Sequence, residues 1–157
     1  MKRNALLMNS AINENMIEFI EEIELDTQAY YIDIDVDVSK YKGFIICAEL
    51  IHVNANNIWL YYGVNGNAVR YVDSRLSQHD TIPNSTNVLA PLIVTSAVDG
   101  RTVFANFNTS YSTLYEDVNS IRISNWTPYN KYDVGTKVYV YGLKEDIVFQ
   151  GGTIWLN

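Results

Sequence analysis

The feature that most constrains this chain is a run in which apolar and acidic side chains alternate without interruption. Residues 30–38 read Tyr-Tyr-Ile-Asp-Ile-Asp-Val-Asp-Val. A period of two residues is that of an extended strand, whose successive side chains point to opposite faces. The sequence therefore predicts a strand with one buried and one solvated face. The buried face carries Ile32, Ile34, Val36 and Val38, and the solvated face carries Asp33, Asp35 and Asp37.

Similar segments recur along the chain, and turn signals separate them. Asn65-Gly66 and Asp99-Gly100 each fall between two β-rich runs, where such dipeptides favour hairpin turns because both residues tolerate positive φ. Further strands are predicted at 19–25, 43–53, 58–62, 68–72, 92–98, 102–107, 118–123, 136–141 and 147–156. About eight to ten strands at this spacing are typical of an all-β sandwich or barrel.

Two polar stretches and the N-terminus depart from this pattern. Residues 73–87 and 124–135 have the composition of turns and are predicted to be long loops. At the N-terminus, apolar residues follow a helical spacing instead of alternating. We therefore expect a short arm or helix at 1–20 and a β-domain at 21–157. The residues that suggest the helix are Ile12, Met16, Ile17 and Ile20.

Composition disfavours several classes of partner and location. The chain has 157 residues, which suits a single domain, and 48% of them are hydrophobic. Its 18 acidic residues outnumber 11 basic ones, giving a net charge of -7 that disfavours nucleic acids and anionic membranes as partners. No apolar stretch approaches the ~20 residues of a membrane span, and we expect no signal peptide. The single cysteine, Cys47, lies in an apolar run and is predicted to be a buried hydrophobe.

The stripe of Asp33, Asp35 and Asp37 is the candidate metal site, because hard cations bind clustered carboxylates. Same-face residues of a strand lie ~6.6 Å apart, so two neighbours can share an ion, but a full shell needs loop ligands that the sequence does not identify. The alternative is a solvated face that discourages edge-to-edge strand pairing. We favour the solvated face, both here and for the glutamates of residues 18–24, and predict no metal or cofactor.

Patterns typical of catalysis are scarce. His52 lies in a predicted strand and His79 in the first long loop, and neither belongs to a zinc or nucleophile motif. Acid pairs such as Asp35 with Glu49 have the chemistry of glycoside hydrolysis, but any acidic β-domain offers such pairs by chance. We predict that the protein is not an enzyme, with a small hydrolase as the remaining alternative.

Aromatic residues, 13% of the chain, are the stronger candidates for function. Trp59 and Tyr61 share one face of a predicted strand, and Trp126, Tyr129 and Tyr132 fall in or beside the second loop. Aromatic rings stack on sugars and on partner surfaces, and asparagines add paired hydrogen-bond donors and acceptors. These residues form the predicted ligand-binding set, with a glycan as the ligand. The alternative is that they fill the core of a β-rich fold.

The last third of the chain carries a resemblance to a known class of domain. Residues 118–123 read Val-Asn-Ser-Ile-Arg-Ile, and residues 132–144 read Tyr-Asp-Val-Gly-Thr-Lys-Val-Tyr-Val-Tyr-Gly-Leu-Lys. An Ile-x-Ile strand, a Gly-Thr start and a Tyr-Gly-Leu-Lys finish resemble the closing strands of β-domains in tailed-phage virions. Residues 31–44 resemble the first core hairpin of the same domains.

This resemblance implies a two-sheet antiparallel jelly-roll-like sandwich in a phage virion, as a head fibre, tail fibre, baseplate or decoration protein. Such domains are commonly homotrimeric, and many bind host-surface glycans. The resemblance brings no catalytic residues. We expect a virion protein, made in the host cytoplasm, that associates with itself and with other virion proteins and is attached through residues 1–20. A carbohydrate-binding sandwich outside any virion is the alternative.

The segment 146–157 continues past the resemblance and is mostly apolar. A terminal apolar strand is rarely left exposed. We expect it either to complete a sheet or to dock on another subunit.

Overall fold

The computed structural model describes residues 16–53, 60–71, 86–88, 92–97, 99–104, 109–125, 131–144, 147–150 and 153–156. These residues form strands, with a short 3-10 turn at Tyr115–Asp117. The strands are β1 Ile17–Glu24, β2 Tyr31–Asp35, β3 Gly43–Ile51, β4 Leu60–Val64, β5 Asn67–Tyr71, β6 Thr86–Val88, β7 Leu92–Ser96, β8 Arg101–Phe104, β9 Thr109–Leu114, β10 Ser120–Asn125, β11 Lys137–Leu143, β12 Ile147–Gln150 and β13 Thr153–Leu156. None of these ranges contains a helix with the length and hydrophobicity to cross a bilayer.

The larger sheet has the strand order β1-β11-β3-β7-β8-β9, and every pair is antiparallel. Strand β3 pairs with β7 through Gly43–Ile46 and with β6 through Glu49–Ile51. Its neighbours on both edges explain why its sequence is so apolar, since a central strand is shielded from water along both sides.

The smaller sheet has the order β2-β10-β4-β5. Strand β10 lies between β2 and β4 and pairs with both in antiparallel fashion. The predicted turn between β4 and β5 is confirmed: Asn65 and Gly66 have φ values of 55° and 72°, which this tight turn requires. Gly100, with φ of 81°, serves the predicted turn between β7 and β8.

One core lies between the two sheets. The alternation of β2 buries Ile32 and Ile34, and their direct partners on β10, Ile123 and Ile121, are buried beside them. The larger sheet contributes the inward side chains Phe44, Ile46, Val138 and Val140 to the same core. The rings of Tyr62 and Phe104, with centroids 6.0 Å apart, link the two sheets. The predicted all-β fold with two antiparallel sheets is confirmed.

Residues 17–20 are extended although the sequence suggested helical spacing there, whereas the predicted strand at 19–25 corresponds to β1. Met16 lies in a turn, Ile17 and Ile20 belong to β1, and Ile12 lies outside the described residues. Strand β1 pairs with β11, an interaction that outweighs a short helical pattern because tertiary context routinely overrides local propensity. Residues 17–20 of the predicted arm are therefore part of the larger sheet.

The predicted terminal strand 147–156 is a hairpin. Strands β12 and β13 pair antiparallel, with Ile147 opposite Leu156 and Gln150 opposite Thr153. The sequence between them is Gly151-Gly152, a hairpin signal that the strand prediction overlooked. Among the described strands, β12 and β13 pair only with each other, so the hairpin extends neither the larger nor the smaller sheet. Docking of the hairpin on another subunit stays a prediction.

Two strands were not predicted from the sequence. Strand β6 lies at the end of the polar stretch 73–87, and β9 is the Ser/Thr-rich segment after β8. Both lack an apolar alternation. Each is extended because it pairs with a stronger neighbour, β6 with β3 and β9 with β8.

Candidate contact face

The outer side of the smaller sheet presents an aromatic ring beside a fixed charge pair. The alternation that buries Ile32 and Ile34 turns Tyr31 and Asp33 outward. Tyr31 is 49% exposed, a large fraction for an aromatic side chain within a sheet. Across the ladder, Arg122 of β10 lies opposite Asp33. We call Tyr31, Asp33 and Arg122 the contact face.

Arg122 is held by two interactions at once. Its Nε donates to Asp33 Oδ1 and its Nη2 donates to Asp33 Oδ2, both at 2.6 Å. The guanidinium carbon lies 3.8 Å from the centroid of the Tyr31 ring, so the cation also stacks on the aromatic face. The hydrogen bonds that Arg122 donates to Asp33 raise the pKa of Arg122 above its already high ordinary value. These contacts hold the guanidinium in one geometry.

The contact face presents hydrogen-bond donors and acceptors together. A guanidinium has five N–H donors, and a carboxylate oxygen accepts more than one hydrogen bond. Arg122 and Asp33 carry these groups beside the half-exposed Tyr31 ring. Donors, acceptors and an aromatic surface thus lie within one side chain's reach of each other.

The turn between β4 and β5 borders the contact face and is itself anchored. Asn65 Nδ2 donates to the Asp117 carbonyl oxygen, and Asn65 Oδ1 accepts from the Asn119 N–H, both at 2.9 Å. A Cβ on Gly66 would lie 3.6 Å from Arg122 Nη2, within ordinary contact distance. The turn is therefore held in place next to the guanidinium and borders one side of the contact face.

A second exposed tyrosine precedes the contact face. Tyr30 is 47% exposed, and Lys131 Nζ lies 4.8 Å from its ring centroid. The cation at this ring is a lysine ammonium, which lacks the planar fork with which Arg122 binds Asp33. Tyr30 therefore resembles Tyr31 in exposure but not in its polar surroundings.

Two members of the predicted aromatic set, Tyr61 and Tyr132, lie within the described residues. Trp59, Trp126 and Tyr129 lie outside the described residues. Tyr61 lies in β4, where its backbone pairs opposite Ser124, and Ser124 pairs on its other side with Tyr31. Tyr61, Ser124 and Tyr31 thus lie in one row across the smaller sheet, whereas Tyr31 and Arg122 were not among the predicted ligand-binding residues.

Tyr132 is the member of that set whose location differs from expectation. We expected exposure beside a loop, but its side chain is fully buried. Its backbone bridges Ala29 on one side and His52 on the other, and its ring lies 5.2 Å from the His52 ring. Burial raises the pKa of the Tyr132 hydroxyl well above its ordinary value. These bridges pin Tyr132 inside the core, so its ring is a packing element and does not face a ligand.

The three candidate metal ligands have separate surroundings. Asp33 binds Arg122, and Asp35 is exposed at the end of β2. Asp37 lies beyond the strand and accepts hydrogen bonds from the Ser39 hydroxyl at 2.6 Å and the Ser39 N–H at 3.1 Å, which lowers its pKa. Within the described ranges, no group of three or more acidic, His or Cys side chains is arranged to hold a metal ion.

The other chemical candidates are also dispersed. Asp35 is on the outer side of the smaller sheet, whereas Glu49 alternates outward on β3 of the larger sheet. His52 is buried, and His79 lies outside the described residues. Cys47 is only partly buried on the outward side of β3, where burial raises the pKa of its thiol. Asp35 and Glu49 thus face opposite sides of the sandwich and do not form a pair.

The sequence analysis also missed an open cleft of about 460 Å³. It lies where the segment after β2 meets the turn between β7 and β8 and the 3-10 turn. Its lining mixes apolar and charged side chains and includes Val38, Lys42, Asp99, Leu114 and Glu116. These residues come from three separated parts of the chain, so no local sequence pattern signals the cleft.

No protein-family model matches this chain, and no curated protein or solved structure matches it significantly.

Proposed function

We propose that this chain is a non-enzymatic structural component of a phage particle, of the head-fibre, tail-fibre, baseplate or decoration type, with jelly-roll-like connections between its strands. In this proposal the protein associates with itself, as a homotrimer, and with other virion proteins, and its exterior meets the host surface. The resemblance of residues 118–123 and 132–144 to phage β-domains motivates the class. The contact face is the observation that supports a recognition role.

The contact face suits recognition because it is rigid before a partner arrives. Ordering a flexible arginine on binding costs conformational entropy, and the Asp33 and Tyr31 contacts have already restricted Arg122. Tyrosine and arginine are also the residues that most often dominate binding energy at interfaces. Because Arg122 and Asp33 form an ion pair, the contact face has no net charge. A neutral partner can therefore bind without the desolvation of an unpaired ion.

Size-exclusion chromatography with light scattering tests the assembly part of this proposal. The full chain at micromolar concentration is expected to elute as a homo-oligomer with the mass of three copies. A matched chain lacking residues 1–16 leaves β1 intact and tests whether the preceding segment is needed for assembly. A strict monomer for both chains would remove the structural-component proposal.

The second candidate function is a carbohydrate-binding module outside any virion. The observation that favours it is the half-exposed Tyr31 ring bordered by paired donors and acceptors. Sugars present an apolar ring face and adjacent hydroxyls, and each hydroxyl both donates and accepts. Binding of neutral sugars by a monomer would favour this module over a particle component.

A glycan array tests this second candidate with a matched pair of variants. Tyr31→Ala is expected to abolish binding, while Tyr30→Ala, which removes a similarly exposed ring, is expected to retain it. Trp126→Ala and Tyr129→Ala test the original aromatic prediction on the same array. Equal loss in Tyr30→Ala and Tyr31→Ala would exclude the contact face as the specific site.

A further inference from the structure

Strand β1 is the edge strand of the larger sheet, and its pairing is interrupted. Seven of its residues align with β11, from Ile17 opposite Leu143 to Glu24 opposite Lys137. The register shifts between Phe19 and Glu21, so Ile20 bulges out of the ladder. Among the described strands, β1 pairs only with β11, through one run of residue pairs on each side of the bulge.

Strand β1 also contributes little to the core. Ile23 is its residue that packs against the core cluster, and it is only partly buried. Phe19 is 55% exposed and rests on the outer side of the sheet, where its ring meets Tyr141 edge-on with centroids 5.5 Å apart. Burial of apolar surface, the main stabilising effect in folding, is therefore small for this strand.

Charged side chains supply further attachment, together with a hydrogen bond that the Tyr41 hydroxyl donates to Glu18 Oε1 at 3.0 Å. Lys137 Nζ lies 2.9 Å from Glu22 Oε1 and 3.2 Å from Glu24 Oε2. At the other end, Lys144 Nζ lies 2.9 Å from Glu18 Oε2. These side chains are about a third or more exposed, so salt screens the pairs and each contributes little to stability.

The chain directly after β1 is fixed independently. The Leu25 N–H donates to the Thr136 carbonyl oxygen and the Gly135 N–H donates to the Leu25 carbonyl oxygen, both at 2.9 Å. Leu25 also packs against the core. Strand β1 can therefore leave the sheet by rotation near residues 24 and 25, while the rest of the sandwich stays in place.

We propose that β1 is an exchangeable strand, and that in the assembled protein the β1 of one copy occupies the β11 edge of a second copy. The open β11 edge carries Lys137 at one end and is followed by Lys144 at the other. A strand that fills it best has glutamates at the matching places, as β1 does with Glu18, Glu22 and Glu24. A second copy of this chain supplies that strand in the same register, and such exchange closes into a symmetric oligomer.

Disulfide trapping between two single variants tests the exchange. Phe19 and Tyr141 are direct partners in the ladder, and residues so paired lie within the Cα separation that a disulfide spans. Phe19→Cys and Tyr141→Cys chains, each also carrying Cys47→Ser, are mixed and mildly oxidised. Only an exchanged β1 brings the two thiols together in register, because neither chain contains both.

The mixed disulfide is expected to exceed that of a Phe19→Cys and Tyr30→Cys mixture by roughly tenfold or more, since paired strands hold two thiols at an effective concentration in the mM range. Its yield is expected to rise with salt during mixing, because screening of the lysine–glutamate pairs releases β1. Equal yields in both mixtures would overturn the exchange. This result is independent of glycan binding, and it also distinguishes exchange from oligomers that form through another surface.

A charge-exchanged pair of full-length chains gives a second readout. One chain carries Glu22→Lys and Glu24→Lys, which face its own Lys137. The other chain carries Lys137→Glu, which faces its own Glu22 and Glu24. Within each chain, like charges therefore lie opposite each other between β1 and β11. Each variant alone is expected to lose the exchanged oligomer. Mixing them is expected to restore an oligomer that contains both chains, because the β1 of each chain then meets opposite charge on the β11 edge of the other. Failure of the mixture to form any mixed oligomer, with both chains folded by circular dichroism, would refute the proposal.

Discussion

Strand β11 is attached to its two neighbours in different ways. Toward β3 its ladder runs without a break, and the inward residues Val138 and Val140 are fully buried. Toward β1 the ladder is interrupted, and exposed lysine–glutamate pairs replace most of the apolar burial. One strand thus takes part in a seam of buried side chains and in a seam of exposed charge pairs. Seven residue pairs align on each side, so the bulge in β1 and the side chains make the difference.

The largest effect is expected at the β3–β11 seam. Ile46 is buried opposite Val140, and Ile46→Ala is expected to lower the free energy of unfolding by about 2–5 kcal/mol through lost burial and a cavity. Ile20→Ala on the bulge of β1 removes the same atoms from an exposed position and is expected to change it by less than about 0.5 kcal/mol. Urea unfolding measures both. Similar losses would mean that the two seams do not differ as described.

Gly142 tests how tightly β11 is packed where it passes Tyr41. A Cβ at Gly142 would overlap the Tyr41 ring, which is buried. Gly142→Ala is therefore expected to cost about 1–3 kcal/mol of stability, as overpacked cores do. In a Tyr41→Ala background the same substitution is expected to cost clearly less. An undiminished cost there would show that the ring is not the obstacle.

The Arg122–Asp33 pair shows how much an exposed ion pair of good geometry contributes in this protein. Its side chains are 18% and 34% exposed, so water screens part of the attraction. A double-mutant cycle with Arg122→Met and Asp33→Asn is expected to give a coupling free energy of about 1 kcal/mol or less. Chemical denaturation at low and high salt measures it. A coupling free energy several times larger would mean that charge pairs stabilise this protein as much as buried apolar side chains do. The difference between the β1–β11 and β3–β11 seams would then be smaller than described.

The smallest expected effect concerns pH at the β1–β11 seam. Hydrogen bonds from Lys144 and then Tyr41 lower the pKa of Glu18 from 4.5 to about 2. Because the folded pKa is the lower one, the ionised carboxylate stabilises the fold above pH 4.5, and this contribution is lost as the pH falls toward 2. Glu18→Gln is expected to speed amide exchange in β1 near neutral pH and to match the parent near pH 2.

Glu21→Gln on the same strand is the matched control for this pH dependence. It changes the same kind of side chain without removing the Lys144 and Tyr41 contacts. Its amide exchange is expected to follow the parent across the whole pH range. If both variants behaved alike, the Glu18 contacts would not account for the pH dependence of the seam.

The predictions from sequence succeeded where a pattern was local. The alternation of residues 30–38 predicted the buried and exposed sides of β2, and Asn65-Gly66 predicted a hairpin turn that the backbone angles confirm. Both follow from backbone geometry within a few residues. Most of β1 was predicted as a strand at 19–25, but its first residues were assigned to a helical arm, because their extended form depends on the β11 edge more than one hundred residues away.

The candidate site was harder to predict for the same reason. Arg122 and Tyr31 are distant in the sequence, and only the β2–β10 register brings them together. Tyr132 seemed available beside a polar loop, but its bridges to Ala29 and His52 bury it. A side chain's exposure next to a loop depends on which strands that loop joins, and a single sequence does not contain this information in any local pattern.

The bridge between Ala29 and Tyr132 has a mechanical consequence. If the chain is tethered through the residues before β1, a pull on the tether first unzips the β1 ladder, whose pairs separate one after another at low force. The eight residues of β1 would then lengthen the tether by up to roughly 26 Å. Tension next reaches Leu25 and the Ala29–Tyr132 bridge, where Tyr132 is anchored in the core. Under tension, β1 would therefore extend first, and the residues anchored in the core would then resist further extension.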